Sequence, residues 1–318
     1  MTMQWQPDIL GSEFEQLTLE LPQGAIATLV RHVHDSTSSG ELDADVLYVH
    51  GWSDYFFQVA HANFWDDMGA SFYALDLRNY GRSLRSGLQP GHIVSLESYD
   101  EEIDAALTAM GRSDNSERPL ILVGHSAGGL TLSLWAGRHP GVASALILNS
   151  PWLEFQAAGL GRMAIAEFLD IESKRHPLTE LPPVDHGIYT RTISSAFEGE
   201  WTYDFDWRPE RGFAVTSGFL HAVFAGHKLV AAGLDIDCPV LVLLSRRSYL
   251  EPHWSEHARR SDVAIHVDGV ARRALSLGNA VSIVRVDEAL HDVFLSRDVV
   301  RAQAYAEIDR WLTGYAPS

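Results

Sequence analysis

The chain has 318 residues and 46% hydrophobic content, ample for one large core with room for a smaller insert. A formal net charge of −18 argues against a nucleic-acid backbone or an anionic lipid surface as partner, since both need clustered Lys and Arg. One cysteine, Cys238, excludes an internal disulfide, and no apolar run reaches the length of a membrane span. The first residues, Met1 to Glu20, lack the basic-then-apolar pattern of a signal peptide, so a cytoplasmic protein is expected.

In chain order, Phe14–Leu21 and Ala25–Val33 alternate apolar with polar residues and predict an antiparallel pair turning at Gly24. Asp45–Gly51, Phe72–Leu77, Leu120–Ser126, Ser144–Ser150, Pro239–Ser245 and Val281–Asp287 are compact apolar runs. Such runs suit strands buried on both faces of a parallel sheet. Helical patterns fall between or after them at Asp54–Met68, Ser95–Met110, Gly128–Arg138, Val270–Leu277 and Asp298–Leu312. This alternation predicts an α/β domain, with a mostly parallel sheet and helices on both faces. It breaks once. Residues 156–237 carry no clear buried strand, but hold Pro182-Pro183 and the aromatic stretch Glu198–Trp207. Too aromatic for a disordered loop, the segment reads as an inserted cap, with 1–155 and 238–318 as the core.

The chemistry centres on Gly124-His125-Ser126-Ala127-Gly128. An apolar strand runs into this G-x-S-x-G and a helical pattern runs out, the context of a nucleophile elbow. A serine hydroxyl needs a base to remove its proton, and the oxyanion formed on attack needs preset donors. The Ala127 N–H supplies one donor, and the loop His50-Gly51-Trp52 offers the Trp52 N–H as the second.

These pieces together resemble the α/β-hydrolase superfamily. Within it the chain is similar to the lysophospholipase and monoacylglycerol lipase-like branch, often grouped with serine aminopeptidases. The resemblance is carried by His50-Gly51-Trp52, by Asp76–Ser83 ("DLRNYGRS", with Asn79 where the family usually has Gly), by the elbow "GHSAGG" and by Ala289–Asp292 ("ALHD"). It implies an α/β-hydrolase fold with an inserted lid, a serine mechanism and no cofactor. His291, after the last strand and before the final helix, takes the position of the base among 15 histidines. The chain order Ser, acid, His belongs to the fold.

The acid is the departure. Relatives place it in the turn directly after the strand that ends here at Ser245, but Ser245-Arg246-Arg247-Ser248 has no carboxylate. Glu251, Glu256, Asp262 and Asp268 remain before His291. The resemblance implies an acid followed by a few apolar or small residues and then a helix, which selects Asp262 from "SDVAIHVDGV". Asp268 is the runner-up, better explained as an N-cap or first-turn residue. Residues 245–261 then form an insertion that delays the acid.

A rival pattern lies inside that insertion. His253-x-x-Glu256-His257 matches a zinc signature if the segment is helical. The stretch is short and charged, follows Pro252, and no later Glu is marked as a third ligand, so no metal site is expected. The expected reaction is hydrolysis of a small-molecule ester through an acyl-enzyme. Trp52, Tyr55, Phe56 and Phe57, with Trp201, Tyr203 and Trp207 of the cap, are the candidates for an apolar acyl pocket, although many such aromatics belong to cores. An aminopeptidase, with Glu198, Glu200, Asp204 and Asp206 binding an ammonium, a non-catalytic binding protein and, least favoured, a zinc hydrolase are the other readings kept open.

Overall fold

The structure is a computed structural model that describes residues 4–33, 40–113, 116–155, 169–182 and 187–315. The first residues of the chain, the start of the expected cap and Pro183 lie outside them.

Nine strands form one sheet in the order β1-β2-β3-β5-β4-β6-β7-β8-β9. They are β1 (Gln6–Asp8), β2 (Gly11–Glu20), β3 (Ile26–His32), β4 (Asp45–Val49), β5 (Ser71–Asp76), β6 (Leu120–His125), β7 (Ala145–Asn149), β8 (Val240–Ser245) and β9 (Val281–Val286). Pairing is antiparallel from β1 through β3 to β5, and parallel from β5 to β9. Every residue of β4, β6, β7 and β8 is buried, the physical reason their sequences are unbroken apolar runs. β9 has a similar sequence but lies at the sheet edge and is half-buried along most of its length.

Alternate residues of each strand feed opposite faces. Leu47, Val49, Leu146, Leu148, Val240 and Val242 pack with Ile103, Leu130, Trp135 and Val270. Their neighbours Val46, Tyr48, Ile147, Leu241 and Leu243 pack with Trp65, Phe294, Ile308 and Trp311. The first layer carries helices α2 (Asp100–Ala109) and α3 (Ser126–Arg138), and the second carries α1 (Val59–Asp67).

Helix α1 starts later than its sequence pattern suggests. The amides of Phe56 and Phe57 are taken by the side chains of Asp76 (2.9 Å) and Gln58 (3.0 Å), so residues 54–58 stay outside the helix. Asp76 opens the Asp76–Ser83 loop. Its carboxylate also accepts from Arg82 Nη1 (2.8 Å), while Arg82 donates to Asp8 and to the Phe56 carbonyl. The loop thus pins the segment that follows β4. Asn79 sits at φ 62°, a left-handed conformation that Asn tolerates. Gly81 has no such latitude: a Cβ there would lie 2.5 Å from both Asp76 Oδ2 and Tyr55 Cβ.

Between β7 and β8 the chain leaves the sheet. The described part of this excursion holds helical residues 169–175, then α4 (Ile188–Ile193) and α5 (Ser217–Ala232). α5 packs against α3, with Gly226 facing Leu130 and Leu134. After β8 come α6 (Val267–Ala274), β9 and α7 (Asp298–Tyr315); α6 joins the α3 side of the sheet and α7 the α1 side.

Candidate active site

Ser126 is the first residue of α3, reached from β6 without a spacer. Its φ is 50°, a strained value for a residue with a side chain. The turn is tight because the chain passes against β4. A Cβ on Gly128 would lie 2.3 Å from the His50 carbonyl oxygen, so only glycine lets the two backbones meet. The helix N-terminus behind Ser126 favours negative charge developing beside it.

His291 Nε2 lies 3.0 Å from Ser126 Oγ, and His291 Nδ1 lies 2.8 Å from Asp262 Oδ2. All three residues are buried, at 8%, 2% and 0% exposure for Ser126, His291 and Asp262. An ionised carboxylate only accepts, so Nδ1 carries the imidazole proton and Nε2 faces the serine as acceptor. The other Asp262 oxygen accepts the Ala264 and Ile265 amides, both at 2.8 Å, which fixes the carboxylate plane.

The route of Asp262 to this place is unusual. The Asp262 amide donates to the Arg247 carbonyl (2.9 Å), and the Tyr249 amide donates to the Asp262 carbonyl (2.7 Å). Ser248 and Asp262 therefore pair as a short bridge, and Ser248 Oγ ties the same neck to Ile265 and Val267. Residues 249–261 loop out from a closed neck, and Asp262 returns to the end of β8. Asp268 lies in the first turn of α6, exposed and paired with Arg285 at 2.7 Å; the N-cap is His266, whose Nδ1 accepts the Gly269 amide.

The second loop at the site is His50-Gly51-Trp52. His50 Nε2 accepts the Leu77 amide (3.1 Å), so its Nδ1 carries the proton and donates to the Gly51 carbonyl (2.7 Å). Clamping that carbonyl orients the whole peptide unit, and the Trp52 N–H points the opposite way. Gly51 abuts Ser126: a Cβ there would lie 3.1 Å from Ser126 Cβ. No hydrogen bond among the described residues uses the Trp52 N–H, and the Ala127 N–H, in the first turn of α3, has no intrahelical acceptor. Two uncommitted backbone donors thus flank Ser126.

Several residues at the site had no motif to announce them. Asp292 accepts from Asn149 Nδ2 (2.6 Å), the Phe294 amide (2.9 Å) and Gln58 Nε2 (3.2 Å), locking the histidine loop to the end of β7. From the excursion, Arg208 places its buried guanidinium 3.0 Å from Asp54 and against the rings of Tyr189 (4.8 Å) and Tyr203 (5.0 Å). Burial works against the Arg208 charge, but Asp54 and the two tyrosines outweigh it and hold the side chain protonated. Tyr189 stands edge-on to His291 with ring centroids 5.3 Å apart, and its hydroxyl is 3.4 Å from His125 Nε2. Burial keeps the Tyr189 phenol protonated and His125 neutral, so the hydroxyl donates.

Asp54, His125 and Asp292 bring ligand-type atoms within 4.8 Å of one another. Three donors already occupy Asp292 and the Arg208 guanidinium neutralises Asp54, so a cation there would meet a fixed positive charge. His253, Glu256 and His257 lie on bends and turns rather than a helix, and the one-face geometry of the zinc pattern is not formed.

The candidate pocket aromatics divide. Phe56 turns away into the core between Phe14, Tyr48 and Phe72, because its amide is held by Asp76; it does not reach the site. Tyr55, Trp201 and Trp207, with Phe57 and Tyr203, form the seam between the excursion and the core, beside Leu290. There the Tyr55 hydroxyl accepts the Asp204 amide and Trp201 Nε1 donates to the Leu295 carbonyl. A different aromatic row stands at the serine. The Trp152 amide donates to the Ser126 carbonyl (2.9 Å), and the Trp52 ring lies 3.8 Å from that of Phe219. Phe155 and Phe224 extend the row. Phe219 and Phe224 come from α5, inside the segment whose sequence reads only as an inserted cap.

A doubly layered α/β sheet with a strained serine at the end of one strand and a histidine and an acid in loops after two others defines a class of hydrolase folds. A family model described as "Serine aminopeptidase, S33" matches residues 40–247. A monoacylglycerol lipase of Mycolicibacterium smegmatis is 32% identical over 107 residues, 33% of this chain and 37% of the relative. Phospholipase YtpA of Bacillus subtilis is 30% identical over 134 residues, 41% of this chain and 47% of the relative. The chain thus spans less than half of these curated relatives. Among solved structures, a monoacylglycerol lipase of Paleococcus ferrophilus superposes with a TM-score of 0.62 at 18% identity, over 87% of this chain and 96% of the other. A monoglyceride lipase variant of Saccharomyces cerevisiae gives 0.61 at 14% identity, over 100% and 96%. These likenesses carry the α/β-hydrolase fold. The chain belongs to the serine aminopeptidase S33 family. Among the described residues, no helix is long and apolar enough to cross a membrane.

Proposed function

We propose that the chain is a serine hydrolase of carboxylic esters with an apolar acyl group, of the monoacylglycerol or lysophospholipid type. The observation that carries this reading is the unbroken line from Ser126 Oγ through His291 to Asp262, with contacts of 3.0 and 2.8 Å. Ser126 Oγ attacks the ester carbonyl while its proton passes to His291 Nε2, and Asp262 stabilises the imidazolium. The Trp52 and Ala127 amides receive the oxyanion. As the tetrahedral intermediate collapses, the alkoxide leaves with the proton from His291. Water then repeats the sequence on the acyl-enzyme, releasing the acid and restoring Ser126.

The substrate class rests on the aromatic row of Trp52, Phe219, Trp152 and Phe224 beside the serine, and on relatives named a monoacylglycerol lipase and a phospholipase. An ester requires no ammonium site. Consistent with this, Glu198 is paired with Arg191, Glu200 with Arg301, and the Asp204 carboxylate accepts the Asp206 amide, so three of the four candidate acids are already engaged. The division into a core (1–155 and 238–318) and a cap (156–237) belongs to the same proposal, as does a cytoplasmic setting, which suits a chain whose one cysteine is free and buried. The test is turnover of medium-chain acyl esters against aminoacyl arylamides by wild type and Ser126→Ala. Ester turnover that disappears in the variant is the expected result; arylamide turnover alone overturns the substrate class.

A further inference from the structure

The looped-out segment 249–261 does more than delay the acid. Its tip reaches the cap. Trp254 lies under the Arg191 guanidinium at 4.1 Å, and the 3₁₀ turn Ala258–Arg260 packs against α4. α4 is the short helix that carries Tyr189. The Tyr189 ring stands 5.3 Å from the His291 imidazole at 75°, and its hydroxyl reaches His125, the residue before the nucleophile. One loop therefore holds Asp262 at its neck and grips at its tip the helix whose Tyr189 packs on the same histidine.

We propose that Tyr189 is a positioning residue for His291, held in place by the contact of Trp254 with Arg191. The inference rests on the reading of Ser126, His291 and Asp262 as the catalytic line. His291 has one hydrogen bond to its acid and one to the serine, both through ring nitrogens whose bonding directions lie in the imidazole plane. Neither resists tilting of the ring out of that plane. A tyrosine packed edge-on supplies that restraint, and aromatic pairs of this geometry stabilise beyond their area burial. The helix bearing Tyr189 has only six residues, too short to be stable by itself, so its place depends on outside contacts. Arg208 against the Tyr189 ring supplies one of these and Trp254 another.

The test uses the full chain and a small fluorophosphonate, which forms a covalent bond to the nucleophilic serine with loss of fluoride. The limiting labelling rate, the half-saturating concentration and the stoichiometry by intact mass are read separately. Tyr189→Ala should lower the limiting rate about tenfold, with half-saturation and stoichiometry unchanged, and Tyr189→Phe, which keeps the ring, should recover most of it. Trp254→Ala and Arg191→Gln should each cost about threefold, the scale of an exposed cation–π pair. Their double variant should cost no more than either alone, and Trp254→Phe should stay near wild type. A merely structural role would instead lower the stoichiometry at an unchanged rate, and that result overturns the proposal. So do wild-type limiting rates in both Tyr189→Ala and Trp254→Ala. Absence of any labelling in folded wild type removes the catalytic reading and the proposal with it, whereas labelled wild type with unaltered variants removes the proposal alone.

Discussion

β6 and β8 deliver their functional residues in opposite ways. Ser126 follows β6 with no intervening residue, in a strained turn in which Gly128 has no space for a side chain. Asp262 follows β8 only after the whole of 246–261, in a neck closed by two backbone hydrogen bonds to Arg247 and Tyr249. The contrast reflects what each residue must supply in the proposed reaction. The nucleophile contributes backbone as well as side chain, since the Ala127 amide must stand beside Ser126 Oγ, and any slack would separate them. The acid contributes one carboxylate oxygen. Any path that brings that oxygen to His291 Nδ1 serves, so long as the ends of the detour are fastened.

Substitutions at the two strand ends break this comparison most directly. Ser126→Ala should abolish covalent chemistry, a loss on the order of 10⁴-fold or more in ester turnover. Asp262→Asn, in a position that orients and stabilises the histidine, should cost on the order of 10³ to 10⁴-fold in kcat. Asp268→Asn, exposed and paired only with Arg285, should stay within about twofold in the same assay. Equal losses at positions 262 and 268 would return the acid assignment to an open question.

Gly128→Ala sharpens the claim that the β6 end tolerates no slack. The added Cβ overlaps the His50 carbonyl oxygen, so the elbow and the Trp52 loop must separate. Loss of one oxyanion donor lowers kcat by about 10² to 10³-fold. At the β8 end the opposite holds. Replacing 250–260 by a short glycine linker keeps the neck and should slow turnover only several-fold, through loss of the Trp254 contact. Ser248→Ala, which unties Ile265 and Val267, should reduce stability by about 1–2 kcal/mol in denaturant unfolding.

One expected effect concerns pH and lies away from both strand ends. Burial lowers the His61 pKa to about 3, and the ring is stacked on Phe294 and accepts from Trp65 Nε1. Between that value and the unfolded value near 6.5 the unfolded chain binds the extra proton, so stability falls as pH falls through this window. His61→Gln should flatten the dependence of Tm on pH between about 7 and 4. An unchanged slope would place the proton uptake elsewhere, with His125 the next buried candidate.

Much of this was legible in the chain. The buried strands announced themselves because burial on both faces leaves no polar position to break the run, and Gly124–Gly128 did so because a sharp turn between strand and helix admits few residues. β9 read as fully buried because its apolar letters do not reveal that no strand follows it at the sheet edge. Phe56 was grouped with its neighbours around the Trp52 loop, but its orientation follows from the hydrogen bond of its amide to Asp76, a contact across sequence that no periodicity encodes. Asp54, Arg208 and Tyr189 were silent for the same reason. Each is an ordinary residue in a loop or short helix, given a role by packing between the excursion and the core. The row on α5 was silent as well, since Phe219 and Phe224 fall in a segment read only as a cap, and a helix burying them has the same pattern whether they face a sheet or a substrate.

The central claim, that Ser126, His291 and Asp262 act together in acyl transfer, is tested most directly by fluorophosphonate labelling followed by intact mass and peptide mapping of wild type, Ser126→Ala and Asp262→Asn. Wild type should take up one adduct per chain, located on Ser126, Ser126→Ala none, and Asp262→Asn one that forms slowly. An adduct that persists on Ser126→Ala, or folded wild type that takes up no label, would contradict that claim.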